Sequence, residues 1–399
     1  MSHQAFIEYI KAMQRIYWGI TGKTAKSKLI DDAVALTGRH RKTVIRYMAR
    51  KRLERELATG RPDGRGRPVE YRPDELLPVV RVLWRRMERP GAARMKAVME
   101  EWLWHYRGEP ALSDFIRLQL MAMSAGTLNR LLALLRGEDT AKKGLSTTTS
   151  GIRSVKNRVP INTLDHVAVR PGFTQADTVA HCGNTTAGQY LNSLTITDLW
   201  STWTEVRALP TKTALDVRRA FVEMKKALPF ELLAVNTDSG SEFINTPMIE
   251  FMSTPYGGKA ITFTRSRPYK KNDNAYVEQK NYTHVRQLFG YFRLEDPALV
   301  ALMNEVYRDC WCPLQNFFLP TQKLVSKTRV GAKIVKKHDN PKTPYQRLME
   351  SGHLSEAEKA ALTVRKLALN PFDLSDALEA KLKRFFDLHR QSQEQKEAA

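Results

Sequence analysis

The sequence predicts a multidomain chain: an all-α N-terminal third, a central α/β domain on a mixed sheet, and a basic, partly helical C-terminal region. Three observations predict it. Apolar residues recur at three- and four-residue steps up to about residue 137. Short β-branched and aromatic runs, broken by turn residues, replace them after about residue 160. Beyond Phe318 the chain turns Lys-rich and irregular before a charged helical pattern resumes. The length of 399 residues allows two to four domains, and a hydrophobic fraction of 42% is enough to bury real cores.

The charge narrows the partner. Lys and Arg number 64 against 42 Asp and Glu, a net +22 that favours a polyanion. About +13 of it lies in residues 1–150, so folded segments carry it rather than a tail. No stretch approaches the roughly 20 apolar residues that span a bilayer, and MSHQAFIEYIKAMQ lacks a signal-peptide layout. Three cysteines make no disulfide framework. The expectation is a cytoplasmic protein with nucleic acid, not a membrane, as its partner.

Each element follows in order. Phe6, Ile10, Met13 and Tyr17 share one helical face. Leu29, Ile30, Ala33 and Val34 pattern a second helix, closed by Thr37-Gly38 with glycine at the left-handed C-terminal position. A third runs from about Arg39 to Arg50 with Val44, Ile45 and Met48 apolar, and carries Arg39, Arg41, Lys42 and Arg46. Two short helices joined through a glycine turn, the second strongly basic, describe a helix-turn-helix over residues 1–59. The alternative is an ordinary helical pair with a solvated basic face. GRPDGRGRP opens a basic linker over 60–72, which can also follow a minor groove. Residues 73–137 read as a second helical module, its last helix N-capped by Ser124, packing Leu128, Leu131, Leu132 and Leu135, and turning Thr127, Asn129 and Arg130 outward. Residues 138–160, rich in Ser, Thr and Lys, are a linker.

Residues 161–318 carry the α/β pattern: three strands, a helix, a strand, a helix, a strand and a final helix. Residues 319–399 form the basic C-terminal region, in which VGAKIVKK has strand character and the last ten residues are expected to fray.

Three acids stand out by position. Asp177 falls inside the first strand (QADTVAHCG), Asp238 ends the apolar strand LLAVNTD, and Glu278 lies in the helix NAYVEQKN. Such carboxylates can meet at one sheet edge, where they repel one another unless a cation lies between them. An all-oxygen set of this kind suits Mg²⁺ or Mn²⁺. Two such ions activate an attacking oxygen and stabilise the leaving oxygen of an in-line phosphoryl displacement.

With 39 residues between Asp238 and Glu278, the trio resembles the Asp-Asp-Glu signature of retroviral integrases and bacterial insertion-sequence transposases. NTDSGSEFIN is similar to the family's Asp-Asn-Gly-Ser-Glu-Phe segment, and PYKKNDNAYVEQKN to its approach to the glutamate helix. VALTGRHRKTVIRYM resembles the front half of such insertion-sequence proteins, of an ISNCY-like kind, and the likeness spans about residues 20 to 320. Ser239 stands where the family has Asn, and Asn274 where Gly is common. No His-His-Cys-Cys cluster is present; His181, Cys182, Cys310 and Cys312 read as core or surface residues.

The resemblance implies a ribonuclease H-like central domain. It further implies a DNA transposase or integrase holding two Mg²⁺ (or Mn²⁺) ions on Asp177, Asp238 and Glu278. Its partners are double-stranded DNA, as terminal inverted repeats and as target, and a second copy of the chain assembled on that DNA. Lys270, Lys271, Lys280 and Arg286, with His284 beside them, are expected on the exposed surface around the trio, contacting phosphates, with Arg39, Arg41, Lys42, Arg46 and Arg130 as contacts from the helical modules. Asn281 and Tyr282 are nearer helical neighbours of Glu278 than Lys280 is. Asp198 is read as a strand-end residue, Glu242 as ordering its loop, and Asp273 as a helix cap. The alternatives are a non-catalytic DNA-binding protein, such as a domesticated repressor, and a simple nuclease of the same fold.

Overall fold

The computed structural model describes residues 3–48, 71–136, 159–161, 168–254, 259–267 and 274–398. The expected linkers and the residues Arg50, Lys270, Lys271 and Asp273 lie outside them, save residues 71–72, 159 and 160 at the linkers' margins. The chain divides into two compact units at residue 70.

In the first unit, α1 (His3–Gly19), α2 (Lys23–Thr37) and α3 (Arg41–Met48) close a small core of Phe6, Ile10, Ile30, Ala33, Val44 and Met48. The helical periodicity placed most of these inward. Gly38 ends α2 at φ 66°, its N–H bonded to Val34 O, a conformation that only glycine adopts without strain. Ile45, expected in the core, is exposed.

The second unit begins with α4 (Pro73–Arg86), α5 (Ala92–Ala97), α6 (Met99–Trp104), α7 (Asp114–Ala122) and α8 (Ala125–Leu135). Proline at the first turn of α4, acids after it and arginines in its last turn complement the helix dipole. Ser124 caps α8 as its sequence foretold, accepting from Thr127 N at 3.1 Å, and the four leucines of α8 are buried.

The α/β region follows the expected order. Strands β1 (Phe173–Ala180), β2 (Asn192–Asp198) and β3 (Thr204–Leu209) pair antiparallel in sequence. Helix α9 (Ala214–Ala227) leads to β4 (Ala234–Thr237), and α10 (Thr246–Ser253) to β5 (Thr262–Arg265). β4 pairs parallel with β1, and β5 parallel with β4, giving the mixed order β3-β2-β1-β4-β5. Gly172, at φ 111°, opens β1 where a Cβ would meet Glu231 O at 2.4 Å. Helices α9 and α10 cover one face through Val217, Phe221 and Met248 against Ala176, Ile196 and Val235. The other face, with Val179, Val206 and Ala208, lies in the larger core. That core takes in α11 (Ala275–Lys280), which runs on through a π-helical stretch Asn281–Arg286 to Phe289, and α12 (Leu299–Glu305), which continues to Phe318.

Residues 73–137 were expected as a module of their own. Instead Leu76, Trp102 and Leu132 share one core with Val206, Phe289, Trp311 and Phe385. The C-terminal region contributes a wholly exposed hairpin, β6 (Leu324–Val330) with β7 (Lys333–His338), followed by α13 (Pro344–Glu350), α14 (Glu356–Leu367) and α15 (Pro371–Ala398). VGAKIVKK thus spans the turn of the hairpin and most of β7, and α15 runs on to Ala398. Among the described residues no single helix is long and apolar enough to cross a membrane.

Trp102 is the clasp of this arrangement. Its side chain is fully buried, its indole N–H donates to Phe318 O at 3.2 Å, and its ring meets Phe372. Trp102→Ala is expected to cost about 3–5 kcal/mol from lost burial and a cavity, and Trp102→Phe about 1–3 kcal/mol from the orphaned carbonyl. Urea unfolding checks both; a cost below about 1 kcal/mol for the alanine variant would refute the shared core.

Candidate active site

The site lies at the C-terminal ends of the parallel strands, where open α/β sheets leave a crevice. β1 outruns β4: Ala176 pairs with Thr237, the last residue of β4. Asp177, still inside β1, therefore stands beside Asp238, the first residue past β4. Alternation along β1 turns Ala176 toward α9 and α10, and Asp177, with Val179, toward α11.

Helix α11 is tied to the sheet by buried polar contacts. Gln175 Oε1 of β1 accepts from Val277 N at 3.4 Å. Ser266, just after β5, places its hydroxyl 2.7 Å from Asn236 Oδ1 and 2.6 Å from Asn274 Oδ1, and Asn236 Nδ2 donates to Thr264 Oγ1 at 2.9 Å. These contacts fix the start of the helix that carries Glu278. One turn on, Asn281 Nδ2 donates to Asp177 Oδ2 at 2.7 Å, while Thr178 N donates to Oδ1 at 2.8 Å. Asp238 Oδ1 accepts from Gly240 N at 2.8 Å, an Asx-type turn that orients it.

Asp177 and Asp238 thus stand side by side at one edge, and Glu278 lies near enough for its charge to act on Asp177, although the three are far apart in sequence. Asp177 and Asp238 are half-buried and Glu278 is exposed. Burial pushes the Asp177 carboxyl up to about 8, the negative charge of Asp238 and then of Glu278 adding to the rise against the Thr178 and Asn281 hydrogen bonds. The donor set is all oxygen and its charges crowd one another, which fits a hard divalent cation. As the side chains stand, no group of three His, Cys, Asp or Glu among the described residues is close enough to hold one ion.

Several sequence expectations are corrected around this trio. Lys280 is buried, not exposed, and burial pushes its ammonium down to about 8, with Arg94 and Arg347 adding to the fall. His284 is buried as well, its Nδ1 2.9 Å from Thr283 Oγ1 and its ring against Trp311. Val277, Lys280, His284 and Leu288 form the inward stripe of the helix. Arg286 is half-buried: it donates to Ala180 O at 2.9 Å and lies 4.8 Å from the centre of the Tyr291 ring, stapling the helix to β1.

In the first unit Arg41 is ion-paired with Asp31 and donates to Ser27 Oγ at 2.8 Å, and Arg39 lies 4.5 Å from the centre of the Phe6 ring. These two arginines brace α1–α3, whereas Lys42 and Arg46 are exposed. Arg130 is exposed on α8, with Thr127 Oγ1 3.0 Å away.

Asp198 is the strand-end residue it was read to be. It accepts from Gly172 N at 2.8 Å and from Ser201 N and Oγ at 2.6 Å each, and burial raises it to about 6. His181 is buried with Nε2 2.9 Å from Ser193 Oγ, and all three cysteines are buried and unbridged. The anchor of Gln175, Asn236, Ser266 and Asn274 is not foreseen from sequence; its trace there is two polar residues, Gln175 and Asn236, inside strands that are otherwise largely buried.

No family model matches the chain. The uncharacterized protein y4rM of Sinorhizobium fredii is 32% identical over 329 residues, which cover 81% of this chain and 89% of that protein. Among solved structures, the HTLV-2 integrase catalytic core domain in complex with magnesium is similar at 20% identity, over 30% of this chain and 70% of that one, with a TM-score of 0.24. The catalytic core domain of BIV integrase is similar at 20% identity, over 46% of this chain and 96% of that one, with a TM-score of 0.29.

Proposed function

This chain belongs to one family with the Sinorhizobium fredii protein y4rM, and we propose that it is a DNA integrase or transposase of the Asp-Asp-Glu kind. One observation carries the reading. Asp177 stands beside Asp238 by strand register and is bonded by Asn281, one helical turn from Glu278. Chain topology alone gives no reason to bring three acids from separate elements to one crevice, since each raises the cost of ionising the others.

Two Mg²⁺ or Mn²⁺ ions bound there would neutralise the carboxylates and polarise a phosphodiester. Asp177 and Asp238, set by Thr178, Asn281 and Gly240, are the fixed ligands, and Glu278 is the one that closes. DNA is held by phosphate contacts from exposed cations, Lys42 and Arg46 on α3 and Arg130 on α8, so binding weakens steeply with salt. The helical segments select the element's terminal inverted repeats. The acidic site hydrolyses a phosphodiester to free a 3′-hydroxyl, then directs that hydroxyl at target DNA. Joining two ends calls for at least two copies of the chain on DNA, in a cytoplasmic setting.

The test is incubation of the purified chain with Mg²⁺ or Mn²⁺ and labelled DNA carrying the ends that flank its own coding region. Metal-dependent nicking with a free 3′-hydroxyl, followed by joining to a plasmid, is expected. Specific binding of those ends without nicking in either metal would instead establish a non-catalytic DNA-binding protein.

A further inference from the structure

The geometry points to Glu242 as a fourth carboxylate of the acidic site, sharing a divalent cation with Asp238. This rests on the proposed function and extends it to a residue outside the Asp-Asp-Glu trio.

Glu242 sits in the turn between β4 and α10, four residues past Asp238. Only 8% of the residue is exposed. Oε1 accepts from Thr178 Oγ1 at 3.0 Å, which ties it to the residue next to Asp177 on β1. Oε2 is shielded from solvent and has no hydrogen-bond partner among the described residues. A buried carboxylate oxygen with no protein donor is costly and calls for an explanation.

Its direction supplies one. A Cβ built on Gly240 would lie 2.4 Å from Glu242 Oε2 and 2.9 Å from Asp238 Oδ1. The two oxygens therefore stand no further apart than those two distances together, with no side chain at residue 240 to part them. Oxygen ligands of Mg²⁺ or Mn²⁺ lie about 2.0–2.2 Å from the ion, so modest side-chain rotation brings both oxygens onto one cation.

Loop ordering, the role that its place in the sequence suggests for Glu242, does not account for Oε2. Asn245 orders the loop instead. Its Nδ2 donates to Ser241 O at 3.0 Å and Glu242 O at 2.8 Å, while its Oδ1 caps α10 at Met248 N, 2.9 Å. The loop uses the backbone of Glu242 and, through Thr178, its Oε1, but not its Oε2.

The experiment is calorimetric titration of the full chain with Mn²⁺, with and without DNA, for the native protein, Glu242→Gln and Thr178→Val. The glutamine variant keeps the shape and removes the charge; the valine variant keeps every carboxylate and releases the clamp. Glu242→Gln is expected to weaken Mn²⁺ at least tenfold and Thr178→Val several-fold, with melting in EDTA no lower for Glu242→Gln. Affinities within twofold of native in both variants, alongside native binding and nicking, would overturn the role of Glu242 alone. A native chain that binds no Mn²⁺ under either condition would overturn this role together with the function it rests on.

Discussion

Asp177→Asn, Asp238→Asn and Glu278→Gln each lower metal-dependent DNA nicking by a factor on the order of 10³ or more, while DNA binding stays near native. The size follows from removing a charged group aimed at developing charge, where one lost hydrogen-bond donor already costs about 10²–10³. The replacements are isosteric, so the packing around each survives. In Asp177→Asn the amide oxygen still accepts from Asn281 or Thr178, whose donors stand at 2.7 and 2.8 Å. In Asp238→Asn the same holds for Gly240 N. The exposed cations expected to hold DNA lie on α3 and α8, remote in sequence from all three positions. Carboxylates that share one cation act as a unit, so any double variant should be no worse than its poorer single parent. Nicking that persists in all three single variants would discard the assignment, and gel-shift binding that falls in step with nicking would show the lesions to be structural.

The trio stands out in the sequence because its residue types and their flanking words carry chemistry that can be read locally. The order of strands and helices was legible because period and turn residues mark it locally. What surrounds the trio was not. The stripe Val277, Lys280, His284 and Leu288 has helical spacing, yet Lys and His argue for solvent by type, and type outweighed spacing. Their burial depends on the large core that α11, α12 and α15 build with the helices before the sheet. That core is also why the second helical segment reads, from sequence, as a separate module. An amphipathic face at Leu76, Trp102 and Leu132 announces that something covers it, and not what. The anchor joins Gln175 to Val277 across 102 residues, and Ser266 to Asn236 and Asn274 across 30 and 8, in pairs that no local pattern couples. Glu242 shows the same limit in reverse: proximity to Asp238 in sequence suggested a loop role, and only its unpaired oxygen separates the two readings.

In EDTA the native chain loses stability between about pH 5 and pH 8 relative to Asp177→Asn, so that the variant is the more stable of the two at pH 8. The sign follows from linkage. The Asp177 carboxyl is held at about 8 in the fold against 3.8 for its ordinary value, so the folded state keeps a proton that the unfolded chain releases. The stability it contributes is fully present below the ordinary value and is lost as pH rises through about 8. Each tenfold change in proton affinity corresponds to about 1.4 kcal/mol; with the side chain partly solvated, a difference on the order of 2 kcal/mol is expected, or a few degrees in melting temperature. Burial also raises Glu88 to about 7 and Asp198 to about 6, so the native curve slopes for other reasons too. Subtracting the Asp177→Asn curve isolates this carboxyl. Saturating Mg²⁺ should reverse the order at pH 8: the cation replaces the proton in the native site and stabilises only the state that binds it, whereas the variant has lost a ligand. Melting curves that stay parallel from pH 5 to pH 8, unmoved by Mg²⁺ in either protein, would mean that Asp177, Asp238 and Glu278 do not crowd one another and that no cation belongs between them.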